Sequence, residues 1–396
     1  MKTLRTPFDA LRAGLLAAAA ALASCGGGVG TGGTGGDATA YAAGPITGFG
    51  SVFVGGVRFD DSTAAVEDAD GGGHTRDVLR LGMTVEIDSS AISTDSAGTS
   101  SASAARIHFE SEIQGLVGGV NLSASTFTVL GQTVLVDATT VFDDRISGGL
   151  AGLSTGQGVE VYAIFDAAAL RYRATRVEPS ALNGGLRLRG PVRLLDTVAQ
   201  TLTVGSNSYS YAGASNLPAG LAVGQFVRLR MALDTGRWVV RSFGAAPRAV
   251  PNGDGVKVEG LVSALTSASV FSVDGRAVDA SAAVLLPAGT TGLVVGARVE
   301  VDGVVRAGVF VASEVKVVSD ADLMNRGFDL IGSITAVNVL QQTITLRGVT
   351  VSTARSDLRI DNGTLANLVV GQAVEVKGGL AADRRTLEAT RIKIVR

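Results

Sequence analysis

A seven-residue phrase returns five times along this chain, and it ties the fold to a tandem repeat. Leu81-Gly82-Met83-Thr84-Val85-Glu86-Ile87 reappears as Thr155-Gly156-Gln157-Gly158-Val159-Glu160-Val161 and as Val223-Gly224-Gln225-Phe226-Val227-Arg228-Leu229. It comes back as Val295-Gly296-Ala297-Arg298-Val299-Glu300-Val301 and Val370-Gly371-Gln372-Ala373-Val374-Glu375-Val376. The copies stand about 70 residues apart. A second glycine in extended apolar surroundings keeps step upstream of each copy: Gly48, Gly115, Gly190, Gly260 and Gly332. Two landmarks at a shared period mean one supersecondary unit used five times.

Within a unit the hydrophobic period is two. In the second copy Phe127 and Val129 lead through Gly131 to Val134 and Val136, and later Val159 and Val161 lead to Ala174-Thr175-Arg176-Val177. The fifth copy repeats the order with Ile344, Leu346, Gly348, Val349, Val351, Val374, Val376 and Ala389-Thr390-Arg391-Ile392. Such alternation describes strands with one buried face. Each unit offers about five strands, and so small a sheet hides its edges best by curling into a barrel. The fold class expected is therefore all-β: tandem five-stranded barrels, OB-like or SH3-like, strung as beads on short linkers. The 53 glycines against 8 prolines suit the frequent tight turns this requires. Composition loosens at Pro179 to Gly185, Ala245 to Gly255 and Ser319 to Phe328, which places the repeats at 44–110, 111–180, 186–245, 256–318 and 329–396.

The N-terminus supplies an address. Lys2, Arg5 and Arg12 precede the apolar run Ala13 to Leu22, too short to span a bilayer and suited to a signal peptide. Leu22-Ala23-Ser24-Cys25 resembles the lipobox of bacterial lipoproteins, and Cys25 is the chain's one cysteine. That resemblance implies cleavage after residue 24, lipidation of Cys25 and a membrane anchor through the acyl chains. Gly26 in place of Asp after the cysteine implies outer-membrane delivery in a Gram-negative cell. Residues 25–43, rich in Gly, Ala and Thr, read as a flexible tether.

The order Gly115, Phe127-Thr128-Val129-Leu130-Gly131-Gln132-Thr133-Val134, Asp137 to Phe142, Gly156 to Val161 and Ala174 to Val177 resembles the bacterial family catalogued as domain of unknown function 5666. The resemblance covers the mature chain as tandem copies and is closest in the second and fifth. It implies architecture and agrees with a lipoprotein, but it brings no activity and no catalytic residues.

Catalytic constellations are not found in the sequence. His74 lies in a Gly/Asp-rich insertion and His108 at a strand end, where a solvent-facing side chain is the expectation. Asp60-Asp61 and Asp143-Asp144 are adjacent on extended chain and project to opposite faces, so neither pair converges on one point. Asp68-Ala69-Asp70-Gly71 opens like a calcium loop but lacks its later ligands. No metal and no cofactor is expected.

Charge is distributed unevenly behind a net charge of -2. Residues 44–180 hold 17 acidic and 8 basic side chains, a balance of -9, whereas residues 181–250 hold 8 Arg against Asp196 and Asp234, a balance of +6. Arg187 and Arg189 share one strand face, Arg228 and Arg230 another, with Leu188, Val227 and Leu229 on the core side. Neighbouring first and fourth strands would merge the four into one patch, and Tyr209, Tyr211 and Trp238 would add stacking surfaces. The function expected is a lipid-anchored, non-enzymatic envelope module for binding or spacing. Its expected partners are the membrane and, through the third repeat, a polyanion, a polysaccharide or a protein; nucleic acid is not an expected partner in vivo. The competing expectation for the arginines is an ion-paired contact with the acidic second repeat, between adjacent barrels. An envelope hydrolase or a calcium-binding surface protein is the alternative function.

Overall fold

The computed structural model describes residues 40–245, 248–289 and 292–395. The signal segment, Cys25 and the tether up to residue 39 lie outside the described residues. Among the described residues the chain forms 32 strands and one α-helix, Asp320–Arg326.

The second barrel shows the unit plainly. Its five main strands are Ile113–Asn121, Thr126–Val129, Gln132–Leu135, Gly158–Asp166 and Arg171–Pro179. The first pairs antiparallel with the second, and the second with the third. The third runs parallel to the fifth, the fifth antiparallel to the fourth, and the fourth returns antiparallel to the first. That closed circuit is a five-stranded Greek-key barrel of the OB kind, and closure removes most of the sheet edge. The same circuit occurs in barrel 1, barrel 3, barrel 4 and barrel 5. In barrel 1 the first strand is split into Ala40–Pro45 and Gly48–Phe49. Ala40 to Ala43, expected as the end of the tether, are thus buried strand residues.

The recurring glycine has a backbone reason. Gly82, Gly156, Gly224, Gly296 and Gly371 all have φ between 81° and 90°, a left-handed conformation that side chains resist. In that conformation each amide N–H donates to the first strand of its own barrel, at Ile46, Val117, Val192, Val262 and Ile334, over 2.7 to 2.9 Å. The phrase therefore marks where the chain turns into the fourth strand and locks it against the first. Of the segments read as linkers, Ser319 to Phe328 contains the helix, capped by reciprocal hydrogen bonds between Ser319 and Asp322.

The barrels follow one another along the chain, and they also dock. The first strands of barrels 2 and 3 pair antiparallel at Ile113↔Leu188 and Gln114↔Arg187. Barrel 1 lays Ala40 to Ala43 parallel to Gly255 to Val258 of barrel 4, and Gly48 and Phe49 parallel to Asp329 and Leu330 of barrel 5. Apolar cores run through these junctions. Barrels 1 and 5 share one core, barrels 2 and 3 another, and Tyr41 and Ala43 of barrel 1 complete the core of barrel 4. A domain of about 60 residues buries only about 60% of its unfolded surface, so merging cores raises the stability of units that are marginal alone. The described residues belong to one compact unit.

Candidate functional site

Strand register gathers the four arginines as expected. In barrel 3 the first strand, Leu186–Asp196, lies beside the fourth, Phe226–Asp234, with Arg187 opposite Arg230 and Arg189 opposite Arg228. Leu188, Val227 and Leu229 point into the core and are almost fully buried. The guanidinium groups line a cleft of about 200 Å³ whose far wall carries Asp68, Asp70 and Phe109 of barrel 1.

Like charges so close require counter-charge, and barrel 1 brings it. Asp70 sits between two guanidiniums, accepting from Arg187 Nη2 at 2.7 Å on one oxygen and from Arg230 Nη2 at 2.9 Å on the other. Glu110 pairs with Arg228, which also donates to the Ala69 carbonyl at 3.1 Å. Glu112, on the joint between barrels 1 and 2, accepts from Arg189 Nη1 at 2.9 Å. Arg189 further stacks over Phe226, 5.6 Å from the ring centroid. Glu112 lies in the acidic second repeat, the competing partner read from the sequence, whereas Asp70 and Glu110 belong to barrel 1.

The aromatic half of the expected site is corrected by the fold. Tyr209 and Tyr211 are buried in the core shared by barrels 2 and 3, and Trp238 packs against that core. The Tyr209 hydroxyl donates to Leu130 O at 2.8 Å and accepts from Gln132 Nε2 at 2.6 Å, and burial pushes its pKa up to about 12. The two tyrosines alternate with Ser208 and Ser210, the signature of a core face. They offer no stacking platform.

A second, smaller cavity of about 70 Å³ lies where barrels 1 to 4 converge. Its wall includes Glu86, His108, Glu112, Arg189, Asp274 and Arg276. Burial pushes Glu112 up to about 8 despite Arg189 and an N–H from Ala163, and pushes Asp274 up to about 6 despite Arg276. Burial also lowers the pKa of His108, which faces this junction and not bulk solvent as the sequence suggested. Glu86 is held by Arg276, and Glu259 by Arg298 at 3.1 Å.

The remaining candidates are structural. Asp68 caps its own turn through the N–H groups of Asp70 and Gly72 and meets His74 Nε2 at 2.8 Å. Asp70, the second acid of the calcium-like opening, is engaged by Arg187 and Arg230. Asp60 caps the N–H of Ser62, Asp143 pairs with Arg176 at 2.8 Å, and Asp144 lies 3.6 Å from Arg385 of barrel 5. No cluster of three metal-ligating side chains occurs among the described residues.

Fold and site together define a tandem array of OB-like barrels joined by buried charge. The family model described as Domain of unknown function (DUF5666) matches residues 114–178, 259–316 and 331–393, which are barrels 2, 4 and 5. The chain thus carries three tandem segments of this family. No curated protein matches it. Among solved structures, one titled drosophila Unr CSD456 is similar at 15% identity, over 52% of this chain and 97% of that one, with a TM-score of 0.16.

Proposed function

We propose that this protein is a lipid-anchored, non-enzymatic module of the cell envelope, held at the outer membrane through Cys25, whose five barrels act as one body for spacing and binding. The observation that carries the reading is the use of charge. Arg187, Arg189, Arg228 and Arg230 each hold a carboxylate from another barrel or from the joint between barrels, so the uneven charge serves first to weld the repeats. No helix among the described residues is long and apolar enough to cross a membrane. The test is Cys25→Ser: acyl labelling is lost and the protein leaves the membrane fraction. Retention of the Ser variant on membranes after a salt wash would overturn the anchor.

The second reading is an envelope hydrolase, favoured by the convergence of Glu112, Asp274 and His108 with shifted pKa values in one cavity. Size counts against it, because ligand pockets span about 300 Å³ or more and this cavity has room for a few waters. Hydrolysis of envelope glycans by the wild type, abolished in Glu112→Gln, would establish it.

A further inference from the structure

We propose that Arg187 and Arg230 form a binding site for the carboxylates of an acidic polysaccharide, and that Asp70 is its built-in competitor. This rests on the binding half of the function proposed above.

The site already displays what it binds. One carboxylate lies between two guanidiniums, each donating to a different oxygen at 2.7 and 2.9 Å, a geometry suited to a planar carboxylate. Asp70 differs from the other acids of the cleft in how it is held. Its side chain is 47% exposed, whereas that of Glu110 is 13% exposed. The turn that carries it is shaped by Asp68, so Asp70 is not needed to form it. Residues 70–77 are all exposed, and the contacts that fasten the turn tip to barrel 3 are those of Asp70 and the Ala69 carbonyl. Exposed ion pairs hold only weakly, so a multivalent ligand that repeats the same carboxylate can replace this one.

With Asp70 swung out, Arg189 stays on Glu112 and Arg228 on Glu110, which leaves Arg187 and Arg230 for the incoming carboxylate, and the cleft of about 200 Å³ opens further. An acidic polysaccharide suits it better than an acidic peptide. A peptide would gain affinity by extending a sheet edge, and both arginine-bearing stretches are already paired on each side: that of the first strand lies between the fourth strand and the first strand of barrel 2, and that of the fourth lies between the first and fifth. A sugar chain needs no edge, and its ring faces match the half-buried Phe109 on the cleft wall.

The experiment is a titration of the full chain with alginate oligomers at fixed salt, beside neutral dextran and poly-glutamate. Asp70→Asn is expected to tighten alginate binding on the order of tenfold by freeing the site. Asp77→Asn, an exposed acid beyond the turn, should leave it nearly unchanged, which separates competition from a general loss of negative charge. Arg230→Gln in the Asp70→Asn background should cancel the gain. If Asp70→Asn and wild type bind alginate equally, the competitor is refuted while binding survives. If neither binds alginate, the site is refuted, and the anchor test above stands apart from that result. Tighter binding of poly-glutamate than of alginate would overturn the polysaccharide assignment.

Discussion

Replacing Glu112 by Gln should flatten the dependence of stability on pH above neutrality. Glu112 is fully enclosed where barrels 1 to 4 meet, and its pKa rises from 4.5 to about 8. A carboxyl raised in this way binds more protons folded than unfolded between those two values. The stability present below 4.5 is therefore lost as pH climbs toward 8. Other groups complicate the acid side: Asp274, raised to about 6, acts in the same direction, and His108, lowered by burial, acts oppositely below about 6.5. Between pH 6.5 and 8 Glu112 leads; Glu160, also raised by burial, has the same sign. At about 1.4 kcal/mol per pH unit this interval removes about 2 kcal/mol from the wild type. Gln keeps an acceptor for the Ala163 N–H, and Arg189 keeps Glu110 at 3.4 Å, so the variant should fold. Urea denaturation at pH 6.5, 7.2 and 8 measures both proteins. A wild type equally stable at 6.5 and 8, or a variant with the wild-type slope, would refute the reasoning.

Three further outcomes follow from packing. Gly371→Ala should cost about 1 kcal/mol, because its φ of 90° strains any side chain while the space beside it is open; thermal melts read this directly. Gly82→Ala should cost clearly more, since its new Cβ would stand 2.3 Å from the Thr175 carbonyl oxygen of barrel 2; equal losses for the two alanines would remove the claim that barrels 1 and 2 touch there. Leu330→Ala should cost about 2 to 5 kcal/mol by emptying the core that barrels 1 and 5 share, and hydrogen exchange should quicken in both barrels together.

The barrel was legible because alternation is a local signal: Val374 and Val376 announce a half-buried strand without reference to anything distant. The arginine cluster was legible for the same reason once first and fourth strands were taken as neighbours. The alternation of Tyr209 and Tyr211 with Ser208 and Ser210 is likewise the pattern of a core face, and both rings are buried. Docking between barrels left no comparable trace. Asp70 and Arg230 are 160 residues apart, and no period links an insertion in one barrel to a strand in another. Glu110 and Glu112 could have been noticed, as two acids on one face of a short joint, but their partners could not be named.

The most direct measurement of the central claim, that the barrels are docked into one body, is small-angle X-ray scattering on residues 40–396. A compact chain of this length has a radius of gyration of about 21 Å. Docking through the shared first strands and the buried charge predicts that value, unchanged by moderate salt, since strand pairs and apolar cores carry the junctions along with the ion pairs. A radius above about 30 Å, as for barrels moving independently on their linkers, would contradict it.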